Sequence, residues 1–218
     1  MQAKLVVFDV DGTLLNTFAG IKYAIDGMRA HFGLCPSTDQ QVRQCIGLDM
    51  DRFVQALVPE RSLSANELEQ YKQVRKECYQ NNPNPDTMPY DGMVELLHKL
   101  QRQGVRLAIL TNKTHQGALE NCKQFFDGIN FEIIKGNRSG FCPKPAPDEL
   151  LDICDTLGVN KKHAIFVGDS ELDVLCAQNA GVRCLAVLWG FRDKKDLLPY
   201  GATEFAETAL ELYQKIVL

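Results

Sequence analysis

The spacing of apolar residues divides the chain into two kinds of segment. Leu5-Val6-Val7-Phe8 is an unbroken apolar run of strand length that ends on Asp9. The period then becomes helical: Ile21, Ala24, Ile25, Met28 and Phe32 share one face, and Gly33 supplies a stop. Phe53, Ala56 and Leu57 mark a second helix, and Leu68, Tyr71, Val74 and Cys78 a third, longer one. Residues 16–83 therefore read as an all-helical unit. The stretch Asn82-Pro83-Asn84-Pro85-Asp86-Thr87-Met88-Pro89 cannot continue a helix and reads as a linker.

From Tyr90 the pattern alternates. A helix carrying Leu96, Leu97 and Leu100 stops at Gly104, and the strand Arg106–Leu110 follows. A helix near 115–125 leads to a short strand at Phe131–Ile134, and Pro147 opens a helix with Asp148 and Glu149 in its first turn. The strand Ala164–Val167, a helix to Ala180, the strand Cys184–Val187 and a last helix from about 206 complete the series. Continuous apolar strands alternating with helices predict an open parallel α/β sheet covered on both faces. The expected organisation is a core of residues 1–15 and 84–218, with 16–83 inserted after the first strand.

Composition narrows the function. A hydrophobic share of 45% supports a packed core, and a net charge of -4 without a basic run argues against nucleic acid or anionic membranes as partners. The eight cysteines form no Cys-x-x-Cys pair and read as reduced, mostly buried small hydrophobes of a cytoplasmic protein. The first strand begins at about Lys4, leaving no room for a signal peptide, and no apolar stretch approaches the ~20 residues that span a bilayer.

In an open α/β sheet, ligands bind beyond the carboxyl ends of the strands. Here those ends hold Asp9 and Asp11 followed by Gly12; Thr111, Asn112 and Lys113; Lys144 between two prolines; and Gly168-Asp169-Ser170 with Asp173 beyond. Each has a plainer reading. Asp-Gly makes an ordinary turn, Thr111 or Asp169 caps a helix, and a loop lysine is usually solvated. None of these accounts for four aspartates, a threonine and a lysine at neighbouring strand ends. Carboxylate oxygens without histidine or thiolate suit a hard cation, Mg²⁺ first, and Thr111 and Lys144 suit a phosphoryl group. The chemistry indicated is Mg²⁺-assisted phosphoryl transfer.

Asp9-x-Asp11-Gly12-Thr13, Thr111-Asn112, Lys144 and Gly168-Asp169 with Asp173 resemble the four ordered motifs of the haloacid dehalogenase superfamily, and residues 16–83 resemble its small helical cap. Leu110-Thr111-Asn112-Lys113, Lys144-Pro145-Ala146-Pro147-Asp148 and Val187-Leu188-Trp189-Gly190 are most similar to the phosphoglycolate phosphatase-like branch. The resemblance implies Asp9 as nucleophile and Asp11 as general acid and base. It implies metal ligation by Asp9, the Asp11 carbonyl and Asp169, with Asp173 behind them. Phosphoryl binding falls to Thr111, the Asn112 amide and Lys144. It further implies a cap that closes over the site, with selectivity in the loop Val42–Leu48, where Arg43 meets a substrate carboxylate and Gly47 permits close approach. Asn16 stands where the family often has aspartate. The expected partner is a small phosphorylated metabolite, phosphoglycolate first, and the protein a monomer or homodimer. A sugar phosphomutase, another sugar or nucleotide phosphatase and a pyrophosphatase share this chemistry. A receiver-like signalling module shares only the Asp, Thr and Lys.

Overall fold

The computed structural model describes residues 3–48, 50–81 and 86–218. The described chain forms two compact units, residues 1–16 with 88–218 and residues 17–87. The expected boundary at 83/84 and the linker residues Asn82–Pro85 lie outside the described residues.

In the first unit, β1 (Leu5–Phe8) is followed by the short β2 (Leu15–Asn16). The chain then passes through the second unit, which consists of α1 (Phe18–His31), α2 (Asp39–Cys45), α3 (Met50–Ala56) and α4 (Ala65–Asn81). It returns at β3 (Met88–Pro89), antiparallel to β2. The remainder is α5 (Met93–Arg102), β4 (Arg106–Thr114), α6 (His115–Phe125), β5 (Phe131–Asn137), α7 (Asp148–Thr156), β6 (Ala164–Gly168), α8 (Glu171–Ala180), β7 (Arg183–Val187), α9 (Lys194–Leu197), β8 (Phe205–Ala206) and α10 (Ala209–Val217).

Six strands pair in parallel in the order β5-β4-β1-β6-β7-β8. β1 lies at the centre and is wholly buried, which is why its four residues are all apolar. Val6 and Phe8 face one apolar layer with Leu97, Ile109 and Leu212. Leu5 and Val7 face the other, with Leu110, Leu150 and Phe166. Pairing sets Phe8 level with Ile109 of β4 and Val167 of β6. Two residues beyond that row stand Val10, Thr111 and Asp169, so one register brings three separate motifs to one height.

Several boundaries differ from the sequence reading. β4 continues to Thr114, and the α6 N-cap is Thr114, whose hydroxyl accepts from Gly117 N; Thr111 is a strand residue, not a cap. The expected loop Val42–Leu48 lies partly in α2, a seven-residue helix with a Thr38–Gln41 capping box. Its polar sequence, Asp39-Gln40-Gln41, hid it from a search for apolar periodicity. The last helix starts at Ala209 rather than 206, and α9 and β8 were too short to signal themselves. All eight cysteines are free; Cys45, Cys154 and Cys176 are buried, whereas Cys35 and Cys142 are exposed.

The helical unit has its own core, with Ile25, Met28, Val54 and Tyr71 at its centre. Arg29 is buried within it, and its Nε donates to Cys35 O at 2.6 Å. One terminal nitrogen donates to Leu57 O and the other to Glu60 Oε1 at 2.9 Å. A single guanidinium thus ties the end of α1 to the segments that follow α1 and α3. Replacing it leaves two carbonyls without their donors, at a cost of about 1–3 kcal/mol each. Arg29→Met is expected to lower the stability of this unit by about 2–4 kcal/mol and to speed amide hydrogen exchange in α1 and α3. Unchanged exchange in those helices would contradict this role.

Candidate active site

The loop after β1 is wound tightly. Leu14 N and Leu15 N both donate to Val10 O at 3.0 Å, and Gly12 N donates to Leu15 O at 2.9 Å. Gly12 makes this possible: its φ is +87°, and a Cβ there would overlap the Asp169 carboxylate. The turn aims Thr13 inward, and its hydroxyl donates to Asp169 Oδ1 at 2.9 Å. The other oxygen of Asp169 accepts from Phe191 N at 2.8 Å. Asp169 therefore sits in a closed seat with neutral donors on both oxygens, and it does not cap α8. Ser170 is that cap, in a reciprocal box with Asp173.

Asp173 does more than close the box. Its Oδ2 accepts from Ser170 N at 2.9 Å and Ser170 Oγ at 2.6 Å, while Oδ1 takes the Lys144 ammonium at 2.6 Å. Lys144 also lies 2.9 Å from Asp9 Oδ1. The lysine is held at its backbone too: Lys144 N donates to Asn112 Oδ1 at 2.9 Å, and Asn112 Nδ2 donates to Lys144 O at 3.1 Å. Asn112 was expected to use its backbone amide on a phosphoryl group; its side chain is a clamp on the lysine loop. Thr111 is buried on the same strand, and its hydroxyl accepts from Lys113 N at 3.3 Å.

Sequence reading gave Lys113 no role. The structure sets its ammonium 3.0 and 3.3 Å from the two oxygens of Asp11. The signal was present, a lysine directly after Asn112, but the partner lies 102 residues away. The loop Trp189–Arg192 follows β7. Trp189 packs on the main apolar layer while its Nε1 donates to Thr13 O at 3.0 Å, and Arg192 pairs with Glu171 at 2.8 Å. A Cβ at Gly190 would overlap Asp169, so the loop passes directly over that carboxylate. Arg43 and Gly47 lie in the other unit. Arg43 is exposed on the last turn of α2 with its guanidinium 4.6 Å from the Phe18 ring centre.

Asp9, Asp169 and Asp173 each present an oxygen, all within 4.8 Å of one another, and all three residues are buried. Burial raises Asp9 to about 6; Lys144 opposes this, while Asp173 and Asp11 push it further up. Burial likewise raises Asp169 to about 8, reinforced by Asp173 and Asp9 and only partly offset by its hydrogen bonds. Burial alone would lower Lys144, but Asp173 and Asp9 outweigh it and hold the ammonium above the ordinary lysine range. With Asp11 included, four carboxylates meet two ammonium groups, a formal excess of two negative charges. That excess, carried by hard oxygen donors in a dry place, fits a divalent cation. Asp9 and Asp169 are the residues to hold it: Asp173 already has the Lys144 ammonium on one oxygen and Ser170 on the other, whereas Asp169 has neutral donors and no cation.

The comparisons with known proteins agree with this geometry. Residues 6–187 match the family model described as haloacid dehalogenase-like hydrolase. The chain is 34% identical over 192 residues to phosphoglycolate phosphatase 1 of Pseudomonas aeruginosa, covering 86% of this chain and 70% of that one. It is 30% identical over 211 residues to a phosphoglycolate phosphatase of Psychrobacter arcticus, covering 94% and 91%. It is also 31% identical over 204 residues to an N-acetylmuramic acid 6-phosphate phosphatase of Pseudomonas aeruginosa, covering 90% and 86%. A solved structure from Lactobacillus delbrueckii subsp. bulgaricus superimposes with a TM-score of 0.93 over 100% of this chain and 99% of that one, at 28% identity. The chain belongs to the haloacid dehalogenase-like hydrolases, in their phosphoglycolate phosphatase-like branch.

Proposed function

We propose that this hydrolase is a Mg²⁺-dependent phosphatase that cleaves a small phosphomonoester through an aspartyl-phosphate on Asp9, with 2-phosphoglycolate as the favoured substrate. The observation that carries the reading is the buried Asp9, with an oxygen 2.9 Å from Lys144 and beside the uncompensated carboxylate of Asp169. A carboxylate in that position is costly unless a cation and an electrophile meet it there.

In the proposed sequence, an Asp9 oxygen attacks phosphorus and the bond from phosphorus to the leaving oxygen breaks. Asp11 gives that oxygen a proton and the alcohol departs. Asp11 then takes a proton from water, the water oxygen attacks phosphorus, and the bond to Asp9 breaks to release phosphate and restore the carboxylate. Thr111 and the Asn112 amide hold phosphoryl oxygens, and Lys144 neutralises charge that builds on them. Mg²⁺, held by Asp9, the Asp11 carbonyl and Asp169, supplies further neutralisation of the phosphoryl oxygens when bound. Asp173 keeps Lys144 aimed at Asp9, and Asn112 fixes the loop that carries the lysine. Arg43 and Gly47 are proposed as substrate-selecting residues of the helical unit.

Similarity to the Pseudomonas aeruginosa N-acetylmuramic acid 6-phosphate phosphatase supports a second reading, in which the ester is a sugar 6-phosphate. Phosphate release from a panel of phosphomonoesters with Mg²⁺ separates the two, and 2-phosphoglycolate is expected to give the highest kcat/KM. A panel without hydrolysis of any phosphomonoester would overturn the phosphatase reading.

The residue roles predict distinct losses. Asp9→Asn is expected to remain folded, to bind Mg²⁺ more weakly and to lose turnover at least about a thousandfold. Asp11→Asn is expected to lose about 10²–10⁴-fold in kcat while still binding inorganic phosphate. A normal rate in either variant would refute its assignment.

Metal binding has a readout independent of activity. A Mg²⁺ concentration of about 100 times Kd is expected to stabilise the native protein by about 2.7 kcal/mol. For a chain of this size that raises Tm by about 5–10 °C. Asp169→Asn should abolish most of the rise, and a full rise in that variant would exclude Asp169 as a ligand.

A further inference from the structure

The reaction as proposed does not use Lys113, yet this lysine holds the group that must serve the leaving oxygen. Its ammonium meets both Asp11 oxygens, at 3.0 and 3.3 Å, and both side chains are largely shielded, 9% and 17% exposed. Its stem is packed as well as its tip: a Cβ at Gly117, on the first turn of α6, would come within 3.3 Å of Lys113 Cε. A lysine shielded from solvent along stem and tip beside the reacting centre is poorly explained by solubility alone.

Of the site's two lysines, Lys144 is already committed to Asp9 and Asp173, with a side chain only 3% exposed. An anionic group on the substrate, apart from its phosphoryl, would enter a site that already carries excess negative charge. Lys113 is the cation placed to receive it. We infer that Lys113 is a specificity-determining residue that recognises a carboxylate on the carbon next to the ester oxygen, exchanging its Asp11 contact for the substrate's carboxylate. This inference rests on the phosphatase reading and names the substrate class of that same site.

Geometry limits the class. A leaving oxygen that takes a proton from Asp11 lies within about 3 Å of that carboxylate, and Lys113 Nζ lies on the same carboxylate. In a 2-phosphoglycolate-like substrate the carboxyl carbon is only two covalent bonds of about 1.5 Å each from the ester oxygen. Such a carboxylate reaches the ammonium without displacing the phosphoryl group. A carboxylate several atoms further away does not. The exchange also releases the Asp11 oxygens from the lysine at the moment the leaving oxygen needs them, so the correct substrate completes its own site.

The test compares 2-phosphoglycolate with its neutral amide, carbamoylmethyl phosphate, under Mg²⁺. The native protein should favour the carboxylate by about 10- to 100-fold in kcat/KM, the range of a charge-assisted hydrogen bond. Lys113→Met should bring the ratio close to one, and Lys113→Arg should restore part of it. The ratio is insensitive to any loss both substrates share, such as a misplaced Asp11. If Lys113→Met is too slow to assay, the same ratio is read as affinity by calorimetry in the Asp9→Asn background, with and without Lys113→Met. A native ratio near one, or a ratio unchanged by Lys113→Met, would overturn the inference while leaving the phosphatase reading intact. Hydrolysis of neither compound, nor of any other phosphomonoester, would overturn that reading and the inference with it.

Discussion

Buried carboxylates crowd around one ammonium group at the heart of this structure. Asp9, Asp169 and Asp173 bring oxygens within 4.8 Å of one another in a place closed to water, and Lys144 touches two of the three. One lysine cannot balance three ionised aspartates; burial, reinforced by the neighbouring carboxylates, raises the affinities of Asp9 and Asp169 for protons. A fold that keeps such an arrangement is built to receive positive charge. The same imbalance makes a metal ion and a phosphoryl group suitable occupants together, since one brings the charge and the other the oxygens to share it.

The sheet makes the crowding possible without unfolding the chain. β1 is central, and both of its neighbours run parallel with it, so three strand ends open on one edge at one level. Two apolar layers fix that register, because a slip of one residue would exchange Val6 and Phe8 with Leu5 and Val7 between faces. The polar ends are then tied to each other rather than to solvent. Thr13 and Phe191 N hold Asp169, Ser170 and Lys144 hold Asp173, and Asn112 holds the backbone of Lys144. Apart from the local Ser170–Asp173 box, these bonds join segments 22 to 156 residues apart, so the site is rigid only in the complete fold.

That separation also marks what could be read before the structure. Leu5–Phe8 and Ala164–Val167 announced buried parallel strands by composition alone, and the Asp-x-Asp-Gly turn announced costly carboxylates at the end of one. The partners were not legible. Asp11 and Lys113 are 102 residues apart, Thr13 and Asp169 156 apart, and neither pair has a periodicity to betray it. Thr111 and Asp169 were weighed as caps because caps are local and common; the true caps, Thr114 and Ser170, lie three residues and one residue further on. α2 was read as a loop because a seven-residue helix led by Asp39-Gln40-Gln41 has too few apolar positions to declare a period. Local pattern thus revealed the frame and the chemical groups, whereas the choice of partner for each group is a property of the packed chain.

Covalent trapping shows whether Asp9 is the group that accepts the phosphoryl moiety. A single turnover with substrate labelled in its phosphate, quenched in acid, reduced with borohydride and mapped by mass spectrometry, locates any acyl phosphate. A transient labelled protein modified at Asp9 and at no other carboxylate is expected. Modification of a different residue would contradict this role of Asp9. So would phosphate release in step with the alcohol and no labelled protein at any time.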